Sequence, residues 1–113
     1  MDKNGAMARR SMGPKWEEFG AHLEGAPGLL PVEVRRSIRA RASGEEGAAG
    51  VPDDLADFVE LVAERSYRLT EKNITKLAEA GRSDDEIFEA AVVAAYGAAD
   101  RRLRAARRCW EGR

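Results

Sequence analysis

The chain has 113 residues, the size of one small domain. Its 19 basic and 20 acidic residues leave a net charge of −1, so no global field draws it towards nucleic acid or an anionic membrane. A single cysteine excludes an internal disulfide framework and any zinc site built on paired cysteines. Apolar residues make up 43%, enough for one core, but only seven of them are aromatic, so Leu, Val, Ile and Ala must fill it. No apolar run approaches the roughly 20 residues of a spanning helix. The first residues carry no apolar signal core, so a cytoplasmic protein with no membrane partner is expected.

Met1 to Gly13 shows no hydrophobic period and reads as a disordered arm, leaving residues 14–113 as a single helical domain. From Pro14 a short helix places Trp16, Phe19 and Leu23 on one face, and Gly25-Ala26-Pro27-Gly28 breaks it. Pro31 opens a second helix through about Ala42, with Val34 and Ile38 spaced by four. Ser43 to Gly50 is a Gly-, Ala- and Glu-rich loop. Pro52-Asp53-Asp54 starts a third helix, with acids in the turn that the helix dipole favours and Leu55, Phe58, Val59 and Val62 as its buried stripe. Thr70 is the N-cap of a short helix with Ile74, Leu77 and Ala78 inward and Gly81 as its stop. Ser83 and Glu86 form a capping box that opens a long helix reaching Cys109 or Trp110.

That last helix carries two adjacent apolar stripes. Ile87, Ala91, Ala94, Ala98, Ala105 and Cys109 make one, with Cys109 as a packing residue. Phe88, Val92, Ala95, Ala99, Leu103, Ala106 and Trp110 make the other. A helix apolar on every side is buried on every side. Either the chain's other helices wrap it, or one flank meets a partner subunit; the second is expected, and Ala95→Arg should then break the assembly or the fold. No segment alternates with period two, so the fold class is all-α, with about five helices.

Few side chains carry chemistry. His22 is the sole histidine, and beside Phe19 and Leu23 it reads as a surface or half-buried helix residue. Gly44, Gly47 and Gly50 lack the Lys-Ser/Thr of a phosphate loop. Asp53, Asp54 and Asp57 are better explained by solvation of a helix start than by a metal. The Arg-rich stretch from Arg101 to Arg108 suits a helix C-terminus, and Asp84-Asp85-Glu86 would repel phosphates where a recognition helix makes base contacts. No nucleic-acid partner, metal or cofactor is expected.

Between Val59 and Arg108 the sequence resembles the alkyl hydroperoxidase D and carboxymuconolactone decarboxylase superfamily. The resemblance rests on Arg65-Ser66-Tyr67-Arg68, on Leu69-Thr70-Glu71-Lys72-Asn73-Ile74, on the turn Ala80-Gly81-Arg82-Ser83-Asp84-Asp85-Glu86-Ile87, and on the Ala-rich helix after it. It implies an AhpD-like helical bundle, a homo-oligomer, and a pocket near the helix before that turn. Redox relatives carry Cys-x-x-Cys and then a histidine, and those positions fall here on Ser66, Leu69 and Asn73. Peroxide reduction needs an attacking thiolate and a resolving thiol, so peroxidase activity is not expected.

The polar residues that the resemblance places towards its pocket are Asp54, Tyr67, Asn73, Tyr96 and Asp100. Tyr96 lies within a run of small residues, where its hydroxyl needs a partner, and Asp100 one turn on can accept that bond. The pair serves either as core hydrogen bonding or as acid–base equipment. Three functions follow as expectations: a non-redox relative that binds a small molecule or a related partner subunit; a cofactor-free lyase, isomerase or cyclase using Asp and Tyr; or a purely structural subunit.

Overall fold

The computed structural model describes residues 2–112, and side chains from residue 13 onward. The described residues form five α-helices and no strand: α1 (Asp2–Gly25), α2 (Val32–Ser43), α3 (Asp53–Glu64), α4 (Glu71–Glu79) and α5 (Asp84–Trp110), with 3₁₀ turns at Ala48–Gly50 and Ser66–Arg68. The expected disordered arm concerns residues whose side chains lie outside the described ones. Pro14, the expected start of the first helix, lies inside α1.

Local chemistry accounts for the boundaries. Pro31 and Pro52 stand just before α2 and α3, where a missing N–H costs nothing. Ser83 and Glu86 cap α5 reciprocally, each side chain accepting from the other's backbone N–H, while at the start of α4 the Asn73 side chain accepts from the Thr70 backbone N–H. Gly81 has φ +103°, which lets the chain turn between α4 and α5 without the strain a side chain would bring.

α5 is the spine. α2 packs along it most extensively and α3 second, while α1 and α4 rest on smaller areas. Leu30, Ile38, Leu55, Val59 and Val93 are fully buried, each contributing about 1.5–3 kcal/mol of apolar burial. Gly97 sits where α2 crosses; a methyl there would lie 2.6 Å from the Arg39 carbonyl oxygen and 2.9 Å from Ala42 Cβ. Arg35 is buried with a role no pattern announced: its Nε donates to the Leu30 carbonyl at 3.1 Å and its Nη1 to the Leu23 carbonyl at 2.9 Å. It thereby ties the end of α1 and the following loop to α2.

Three inward assignments are corrected. Leu77 alone of the α4 trio is buried; Ile74 is 45% exposed and Ala78 is also exposed, because α4 has one narrow contact face. Cys109 is exposed rather than packed, as are Ala105, Arg107, Arg108 and Trp110 around it. The chain's own helices therefore do not wrap α5 on every side. Ile87, Ala90, Val93, Ala94, Gly97 and Ala98 are buried, whereas Phe88, Ala95, Leu103 and Trp110 on the second stripe are exposed.

Candidate functional site

The five candidate polar residues do not converge. Asp54 and Asn73 border one half-open groove between α3 and α4, about 510 Å³ in volume, together with Phe58 and Lys76. Tyr96 and Asp100 border another between α1 and α5, about 330 Å³, beside Trp16 and Arg104. Tyr67 lies on the Ser66–Arg68 turn, lines neither groove and is 83% exposed.

Asp54 occupies the first turn of α3. Arg82, in the turn between α4 and α5, donates to both of its carboxylate oxygens, Nε to Oδ2 at 2.7 Å and Nη2 to Oδ1 at 2.9 Å. The same guanidinium reaches Glu86 on α5 at 3.1 Å. Hydrogen bonding from Arg82 holds the Asp54 carboxyl below the usual aspartate range and raises the Arg82 guanidinium above its own. A carboxylate held in this way is ionised at neutral pH and has no proton to donate to a substrate.

Asn73 is occupied at the start of α4. Its Oδ1 accepts from the Thr70 backbone N–H at 2.8 Å and from the Thr70 hydroxyl at 3.2 Å. Of the other positions that correspond to the redox motif, Ser66 is exposed and Leu69 half-buried at the turn that follows α3.

Trp16 of α1 reorganises the Tyr96–Asp100 pair. The Tyr96 hydroxyl donates to the Trp16 carbonyl at 2.9 Å rather than to Asp100. Asp100 instead accepts from the Trp16 indole Nε1 at 2.8 Å and forms an ion pair with Arg104 at 3.2 Å. The Trp16 and Tyr96 rings stack with centroids 4.5 Å apart, and Phe19 meets Tyr96 edge-on at 5.9 Å. Gly20 makes this possible, since any side chain there would overlap the Tyr96 ring. Burial raises the Tyr96 phenol further above its ordinary value. The expected bond between Tyr96 and Asp100 is thus replaced by two bonds to one residue of α1, which sequence spacing could not locate.

Sequence reasoning also missed Arg82 and Glu89. The Glu89 carboxylate accepts from the backbone N–H groups of Leu29 and Leu30 at 2.8 and 2.9 Å, fixing the α1–α2 connection to α5. Neither pairing has a local signal, for the partners are 28 and about 60 positions apart. Among the described residues no three His, Cys, Asp or Glu side chains gather as metal ligands, and no helix is long and apolar enough to cross a membrane.

Among the described residues, the outer side of α5 carries an exposed apolar ridge. Phe88 is 68% exposed and Trp110 76%; Ala95 and Leu103 are exposed, and Val92, Ala99 and Ala106 half-buried between them. A scan against protein-family models, a search of curated proteins and a search of solved structures find no match to this chain.

Proposed function

We propose that this chain is a divergent, non-redox relative of the alkyl hydroperoxidase D and carboxymuconolactone decarboxylase superfamily that works by associating with another protein subunit, not by catalysis. The observation that carries this reading is the apolar ridge of α5. It runs the length of the longest helix, opposite the face that packs into the core, and burying such a ridge is what drives most protein association.

The polar residues support the same reading. Arg82 occupies Asp54, Thr70 occupies Asn73, and Trp16 occupies both Tyr96 and Asp100. Tyr67 stands apart in solvent. Acid–base work on a small substrate needs such groups free and within reach of one another. The bundle architecture and a homo-oligomeric state belong to the same proposal.

Sedimentation over a range of concentrations tests it. The wild type is expected to exceed the 12.4 kDa of one chain. Ala95→Arg should return it to that mass while keeping its helical circular dichroism, because Ala95 is exposed within the protomer and an arginine has room there. A wild type that stays at monomer mass throughout overturns the reading.

A further inference from the structure

Resting on that reading, we infer that the partner is a second copy of this chain, joined through α5 in an antiparallel pair whose two-fold axis passes beside Ala99. The ridge residues are spaced 4, 3, 4, then 4, 3, 4 along α5, from Phe88 through Ala99 to Trp110. Eleven residues close three helical turns almost without drift, so the ridge stays on one side of a straight helix.

The spacing is also a palindrome about Ala99. An isologous two-fold interface requires the same patch to complement itself. With the axis at Ala99, Phe88 of one copy lies opposite Trp110 of the other, Val92 opposite Ala106, and Ala95 opposite Leu103. The small residues near the axis let the helices approach, and an aromatic pair closes each end.

Charge selects the direction. From Asp84 to Gly97 the helix carries Asp84, Asp85, Glu86 and Glu89 and no basic residue. From Ala98 to Trp110 it carries five arginines against Asp100. Glu86 and Glu89 in the first half, and Arg101, Arg102 and Arg104 in the second, are held within the protomer, so the contrast presented to a partner rests on Asp84 and Asp85 at one end and Arg107 and Arg108 at the other. An antiparallel pair lays the acidic half of each α5 along the arginine-rich half of the other, whereas a parallel pair sets like against like. The helix dipoles favour the same direction. A second copy supplies both the ridge and the reversed charge.

Cross-linking through introduced cysteines decides the matter. In a Cys109→Ser background, Ala99→Cys is expected to form a disulfide-linked dimer on mild oxidation, because its two copies meet at the axis. Val92→Cys is expected to remain unlinked: its two copies stand about 20 Å apart, and a disulfide needs Cα atoms within about 7 Å. Spin labels at Val92 measure the same separation without oxidation, and a distance below about 12 Å there overturns the antiparallel register. Cross-linking at Val92, or none at Ala99 in a protein that sediments as a dimer, overturns this pairing and leaves the association reading standing. Monomer mass for the Cys109→Ser protein itself removes both.

Discussion

Arg82 shows how one side chain can take a carboxylate away from chemistry and give it to stability. It joins Asp54 on α3 to Glu86 on α5 across the turn that follows α4. Because folded Asp54 titrates below its unfolded value, its contribution is complete above about pH 4 and is lost as the pH falls through the lower folded value. Asp54→Asn should lower stability at neutral pH by about 1 kcal/mol, a small figure because the carboxylate is a third exposed and well screened. Urea unfolding should show the gap to wild type closing towards about pH 2. A gap that stays constant would mean that the charge on Asp54 is not what Arg82 holds. Residues like these were legible as types but not as partners: Asp54 could be placed at a helix start from Pro52 alone, whereas Arg82 lies 28 positions away.

At the scale of elements, α2 against α5 decides the fold, and Gly97 is its closest point. Gly97→Ala gains roughly 1 kcal/mol of helix propensity but drives a methyl against the Arg39 carbonyl and Ala42 Cβ, where overpacking costs about 1–3 kcal/mol. The net expectation is a loss of up to about 2 kcal/mol, read as a lower midpoint in chemical unfolding with the slope unchanged. A variant as stable as wild type would show that α2 can slide along α5 at no cost. The helices themselves were legible because their ends are local: Thr70, Ser83 and Gly81 act within one turn of where they stand. Which face each helix buries was less so. Val59 and Leu77 turn inward, but Ile74 and Cys109, equally apolar by pattern, stay exposed. Periodicity identifies a face; only the length and position of the neighbouring helices decide whether it is covered.

For the whole molecule, the division of α5 into an acidic and a basic half makes the proposed pair sensitive to salt in a direction that depends on its geometry. Between about 0.1 M and 1 M salt the screening length shrinks from roughly 10 Å to 3 Å. The apolar ridge is little affected, but attraction between the opposite-signed halves fades, so the antiparallel dimer should dissociate more readily at high salt. A parallel pair, with like charges facing, would tighten under the same change. The melting temperature should also rise with protein concentration, since a partner that binds only the folded chain stabilises it by mass action. Thermal melts over a hundredfold range of concentration, repeated at low and high salt, measure both effects together. Concentration dependence that weakens as salt is added matches oppositely charged halves lying side by side. Dependence that strengthens with salt would keep the ridge as an interface and reverse the direction of the helix across it.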